Sequence, residues 1–253
     1  MVEKQNVKSL GIPKNDFLAH VRRSLGRSDR LDPSPPYHRL AEDLAVLEEH
    51  AAEIRRRLED KRSHLLDQFA ETARLRSWNL FRTTNAEDAV GYAVELARNH
   101  SISQIARSDQ SVFSELPLDS ALQSSGIECV TVLQDEASSR ERLRSQIIES
   151  GLGMTGADYA VAETGSVVVV PRRGLSRLVS LVPPVHLAIV RIEDLVESLD
   201  DVFLLRRLEY YRNGEEMGSY LNFITGPSRT ADIEMKLVVG VHGPKEVHLI
   251  LLG

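Results

Sequence analysis

The chain has 253 residues, 42% of them hydrophobic, and a formal charge of −6 at neutral pH. That length holds one large domain or two small ones, and the acidic balance argues against nucleic acid or an anionic membrane surface as the main partner. No run reaches the ~18 apolar residues of a membrane span, and the first residues lack the apolar core of a signal peptide, so the cytoplasm is the expected compartment.

Asn15 or Asp16 is placed to cap a short helix ending at Gly26, and residues 27–36, with Pro33, Pro35 and Pro36, form a linker. Residues 37–76 contain neither Pro nor Gly. Their apolar positions, Leu40, Leu44, Leu47, Ala51, Ile54, Leu58, Leu65 and Phe69, trace one narrow stripe along a long helix, broken at Lys61. Such a stripe packs within its own domain or against a second subunit, so a homo-oligomer through the 37–76 helix is one expectation. Arg55-Arg56-Arg57, flanked by acids, reads as a solvated face. The expected division is a helical extension over 1–76 and an α/β domain over 77–253.

From residue 79 strands and helices alternate. Strands are expected over 79–83, 102–106 and 128–133, a helix capped by Asn85 reaches about residue 99, and a charged helix spans 137–150. Residues 158–162 and 166–171 form a hairpin across Glu163-Thr164-Gly165, and 188–191 extends the sheet. A last long helix is expected over 193–211, then a turn at Asn213-Gly214. Strands at 220–225 and 246–252 close the sheet, the latter apolar enough for an interior position. This pattern predicts an α/β fold with a mostly parallel sheet flanked by helices.

Several motifs place hydroxyls, charges and small residues beside these strands. Glu163, at a strand end, can act as base, nucleophile or hydroxyl-binding group, or simply accept turn N–H bonds. Gly151-Leu152-Gly153-Met154-Thr155-Gly156 spells G-x-G-x-x-G, but it follows a helix and leads into a strand, the reverse of a dinucleotide site. It reads as a helix C-cap and turn. Gly226-Pro227-Ser228-Arg229-Thr230 can form a nest of N–H groups with Arg229 as a fork for carboxylate or phosphate; alternatively Arg229 pairs with Asp232 or Asp158. His186 opens an apolar strand and reads as structural, whereas His242, between glycines, is the better acid–base candidate. The single cysteine, Cys129, reads as a buried strand thiol and leaves no thiolate set for an iron–sulfur cluster. No His/Cys spacing suggests a metal site, and neither a P-loop nor a G-x-S-x-G elbow occurs. Candidate catalytic groups are therefore Glu163 and His242. Candidate substrate- or anion-binding residues are Thr155, Asp158, Thr164, Gly165, Gly226, Ser228, Arg229, Thr230 and Asp232.

Taken in order, Thr155-Gly156-Ala157-Asp158, Ala162-Glu163-Thr164-Gly165, Leu178-Val179-Ser180-Leu181-Val182-Pro183-Pro184-Val185-His186, Phe223-Ile224-Thr225-Gly226-Pro227-Ser228-Arg229-Thr230-Ala231-Asp232-Ile233-Glu234 and Gly240-Val241-His242-Gly243-Pro244 resemble the LUD-domain family, in particular its lactate utilization protein C branch. The resemblance implies a fold similar to ribose-phosphate isomerase, glucosamine-phosphate isomerase and CoA-transferase. It also implies conversion of L-lactate to pyruvate beside a cysteine-rich protein and an iron–sulfur protein. On that reading this chain is a non-redox subunit with no cofactor of its own, the iron–sulfur clusters sit on partner subunits, and Arg229 receives an anion such as L-lactate. Two alternatives stay open: a stand-alone phosphosugar- or acyl-CoA-acting enzyme using Glu163, and an assembly subunit with a vestigial pocket.

Overall fold

The computed structural model describes residues 14–26, 43–133, 140–170, 177–212, 220–231 and 237–253. Two compact units divide between Asp43 and Leu44. The first contains α1 (Lys14–Ser24), which starts before Asn15 and Asp16, so Asp16 lies in the first helical turn instead of capping it. Its carboxylate there meets the positive end of the helix dipole. Gly26, at φ 65°, ends the turn after α1. The proline-rich linker and the Asn213-Gly214 turn lie outside the described residues.

The second unit is organised by six parallel strands. β1 (Asn79–Thr83), β2 (Gln104–Arg107), β3 (Glu128–Thr131), β4 (Leu152–Gly156), β7 (Val185–Arg191) and β12 (Glu246–Leu252) lie in the order β1-β12-β7-β4-β2-β3. Interior β7 and β12 are apolar on both faces, as a parallel sheet covered on both sides requires. Leu187 and Ile189 pack on one side with Ile105, Met154 and Ile250, beneath α3 (Ala86–Asn99) and α4 (Leu118–Ser124). Asn85 caps α3 by accepting the Glu87 N–H at 2.9 Å. Ala188, Val190, Leu249 and Leu251 face the other way, onto α2 (Leu44–Leu75) through Leu65, Leu66, Phe69 and Ala73. Each such fully buried large side chain contributes about 1.5–3 kcal/mol. α5 (Arg140–Glu149) and α6 (Leu178–Leu181) pack Ile147 and Val179 around Ala106.

A smaller sheet, ordered β8-β5-β6-β9, sits beside α2 and contains β5 (Tyr159–Val161), β6 (Ser166–Val169), β8 (Leu195–Val196) and β9 (Asn222–Ile224). β5 and β6 form the expected hairpin. The chain then runs through α7 (Leu199–Arg212) and a ribbon of β10 (Arg229–Ala231) and β11 (Leu237–Val239).

Three local expectations are corrected. Residues 152–156 are the wholly buried strand β4, not a turn, because Gly153 lets α6 lie directly on the sheet: a Cβ there would sit 1.8 Å from the Val179 carbonyl oxygen. Leu195 and Val196 are a strand paired with β5, so the last long helix starts at Leu199. β9 joins the small sheet, not the parallel one.

The helix stripe is used within the chain. Leu47 and Ala51 pack with Leu208 of α7, and the break at Lys61 falls where α2 meets the acidic start of α7. Lys61 Nζ lies 3.0 Å from Glu197, and Arg57 Nη2 lies 2.5 Å from Asp201, so Arg57 is not merely a solvated charge. Among the described residues no helix is long and apolar enough to cross a membrane.

Candidate functional site

The structure divides the motif residues between two places. Most gather at the C-terminal end of α2. Gly165, at φ 67°, lies against the Thr72–Ala73 backbone, where a Cβ would come within 2.6 Å, and its carbonyl accepts the Trp78 Nε1–H at 3.0 Å. Gly226, at φ 105°, leaves no room for a Cβ, which would sit 2.1 Å from the Arg76 carbonyl oxygen. Thr164 donates to Ser166 Oγ at 2.8 Å, and Ser166 shares a 2.7 Å hydroxyl contact with Thr225. The exposed Arg229 guanidinium donates to Ser77 Oγ. Ser228 ties the two C-terminal motifs together: its N–H donates to the Pro244 carbonyl, its carbonyl accepts from Gly240 N–H, both at 2.9 Å, and its Oγ accepts from His242 N–H at 3.3 Å. Of the N–H groups expected to form an anion nest, that of Ser228 is thus engaged between the motifs. His242 itself is exposed, and Thr230 pairs with Val238 in the ribbon. Asp232 lies outside the described residues.

Thr155 and Glu163 are each engaged by the fold. Thr155 is 1% exposed and shares a 2.9 Å hydrogen bond with Nε2 of fully buried His186, whose pKa burial lowers to about 3. His186 is therefore neutral and structural, and its ring lies 6.4 Å from that of Trp78. Exposed Glu163 accepts the Leu199 N–H at 3.2 Å. It thereby joins Ser198 and Asp201, a capping box, at the start of α7.

Asp158 lies elsewhere. The connection from β2 leaves toward β3, whereas that from β4 leaves toward β7, so the chain reverses direction between neighbouring strands. Outside the carboxyl ends of strands at such a reversal, open α/β sheets bind their ligands. A cavity of about 270 Å³ occupies this place, lined by Gln110, Ser111, Asp158, Tyr159, Arg191, Asp194 and Glu209, among others. Two wider hollows lie elsewhere. One is a groove between α3 and α4, and the other sits at the amino ends of the strands beside His100 and Glu246.

Most polar groups of the small cavity are anchored. Gln110 packs against Gly156, whose Cβ would meet Gln110 Cδ at 3.0 Å, and its Oε1 accepts from buried Ser108 at 2.7 Å. Asp158 accepts the Val170 N–H at 2.7 Å. Tyr159 donates to Glu209 at 2.5 Å, and Glu209 pairs with Arg206. Burial, then Glu209, raises the Tyr159 pKa, which keeps it a donor. Arg191, ending β7, donates to Ser111 Oγ at 3.3 Å and pairs with exposed Glu115 through Nε at 3.2 Å and through Nη2. Asp194 lies 3.8 Å from Arg191 Nη1. Burial lifts its pKa to about 6, Arg191 opposing and Glu193, Asp158 and Glu115 adding to the rise. Gln110, Arg191 and Asp194 carry no motif and were missed in the sequence; the one local signal was the charge cluster Arg191-Ile192-Glu193-Asp194 closing an apolar strand.

The LUD domain model matches residues 66–252. The chain belongs to the LUD domain family. YkgG of Escherichia coli (strain K12) is 34% identical to this LUD-domain chain over 94% of its length and 97% of that protein. A lactate utilization protein C of Exiguobacterium sp. is 30% identical over 94% of the chain and 95% of that protein. A lactate utilization protein B of Bacillus licheniformis is 26% identical over 80% of the chain but 50% of its own length. In structure, a DUF162 family protein from Deinococcus radiodurans superposes with a TM-score of 0.52 at 19% identity, over 76% of this chain and 98% of that one. That likeness shows the α/β fold.

Cys129 is half-buried on β3, and burial pushes its thiol pKa up, with Arg107 opposing. Among the described residues no three His, Cys, Asp or Glu side chains are grouped to hold a metal ion.

Proposed function

We propose that this chain is a cluster-free subunit of an L-lactate utilization system that converts L-lactate to pyruvate. Its end-to-end similarity to a lactate utilization protein C carries the reading, because the match spans 94% of the chain and is not confined to one motif. The oxidation releases two electrons. One half-buried cysteine cannot assemble the roughly four thiolates of an iron–sulfur cluster, so the electrons pass to partner proteins that carry such clusters. Relatives named lactate utilization protein B, in which a region similar to this chain fills about half the length, are natural partners. The substrate site on this chain is the cavity at the sheet reversal.

The test is growth on L-lactate of a strain lacking this gene and any redundant lactate oxidase. Loss of growth that the wild-type gene restores, with growth on pyruvate unaffected, supports the reading. Unchanged growth on L-lactate rejects it.

A further inference from the structure

We propose that the cavity at the sheet reversal binds a small 2-hydroxy monocarboxylate, its carboxylate on Arg191 and the Gln110 amide and its hydroxyl donating to Asp194. This rests on the lactate reading above and assigns its ligand site. Three polar groups carry the assignment, each held by a different element and all lining one cavity.

Gln110 is 6% exposed, and its Oε1 is held by the Ser108 hydroxyl. A carboxamide whose oxygen is held in this way keeps its N–H donors for another acceptor, and Gln110 lines the cavity. The second donor is the Arg191 guanidinium. It is held by Glu115, whose side chain is half exposed and sits on the short 3₁₀ turn Ser111–Glu115. An exposed carboxylate on a guanidinium contributes little stability, so a ligand carboxylate can take its place in the same fork geometry. The acceptor is Asp194, whose one ion-pair partner among the described residues is Arg191, at 3.8 Å. Asp158 and Glu209 also line the cavity, but Asp158 is tied to Val170 N–H and Glu209 to Tyr159 and Arg206.

The same carboxylates set the selectivity. With Glu209 already paired to Arg206, Asp158 and Asp194 stand against the Arg191 guanidinium, so the cavity tolerates one ligand carboxylate, balanced by Arg191, and repels a second. A 2-hydroxy monoacid fits this pattern; a 2-hydroxy diacid does not. Removing the hydroxyl leaves Asp194 without its donor, which costs about tenfold in affinity.

Calorimetric titration of the full-length chain with sodium L-lactate, propionate and L-malate tests this. Saturable L-lactate binding is expected, with propionate about tenfold weaker and L-malate weaker still. Arg191→Gln is expected to weaken lactate binding by about tenfold or more, while Glu115→Gln, which removes the competing carboxylate from the guanidinium, tightens it. Should Arg191→Gln fail to fold, Glu115→Gln and the propionate comparison decide alone. Absence of L-lactate binding at concentrations on the order of 10 mM, equal binding of malate, or indifference to Glu115→Gln overturns the assignment. A chain that fails to bind lactate yet is required for growth on it sinks the site and leaves the lactate role standing.

Discussion

The C-terminal end of α2 and the carboxyl end of the parallel sheet are both polar and rich in turns, yet they use their polar groups in opposite ways. At the helix end, hydroxyls, glycines and N–H groups meet one another: Gly165 with Thr72 and Trp78, Gly226 with Arg76, and Ser228 with Gly240, His242 and Pro244. At the sheet end, Gln110, Asp158, Arg191, Asp194 and Glu209 line one cavity from separate elements, each held by a partner such as Ser108 for Gln110 or Val170 for Asp158. Motifs of small residues thus mark where backbones approach closely, whereas the cavity draws on longer charged and amide side chains, Gln110, Arg191 and Asp194, that carry no motif.

The sharpest way to break this comparison is Gly226→Ala. A Cβ at φ 105° and 2.1 Å from the Arg76 oxygen forces the loop off α2, and a loss of about 3 kcal/mol or more in urea denaturation is expected. A loss below about 1 kcal/mol would mean that the loop is not packed on the helix. Thr155→Val comes next, since it strands buried His186 Nε2 without a partner at a cost of about 1–3 kcal/mol. Because burial holds the His186 pKa near 3, that cost is expected to stay constant between pH 5 and 8; a steep pH dependence would show that His186 titrates.

Asp194→Asn probes the cavity. The folded pKa of about 6 lies above the usual aspartate value near ~3.9, so the native state binds the extra proton. The contribution of this group to stability is complete below pH ~4 and is lost as pH rises to about 6. The Asn variant is expected to lack that fall, so its stability relative to wild type rises across the same window. A flat difference between the two proteins would show that Asp194 is not desolvated. Arg229→Ala has the smallest expected effect, within about 0.5 kcal/mol, because it removes one exposed contact to Ser77.

Local signals were the legible ones. Asn85 announced α3, alternation and the Glu163-Thr164-Gly165 turn announced the β5–β6 hairpin, and the apolar run at 246–252 announced an interior strand. β4 was hidden because Gly153 and Gly156, which suggest a turn, are there to admit Val179 and Gln110 against a strand. Glu163, read as a catalytic candidate, sits on the helix start that its carboxylate stabilises. The cavity was illegible for a deeper reason. Gln110, Asp158, Arg191 and Asp194 converge only because β4 lies between β2 and β7, and strand order is a property of the folded sheet that no local pattern encodes.

The proposed site lies at the sheet reversal and not at the helix end. Its most direct test is complementation of the deletion strain on L-lactate by Arg191→Gln and Arg229→Ala, side by side at equal abundance. Arg229→Ala is expected to restore growth and Arg191→Gln is not. Growth with Arg191→Gln and none with Arg229→Ala would contradict it and move the site to the end of α2.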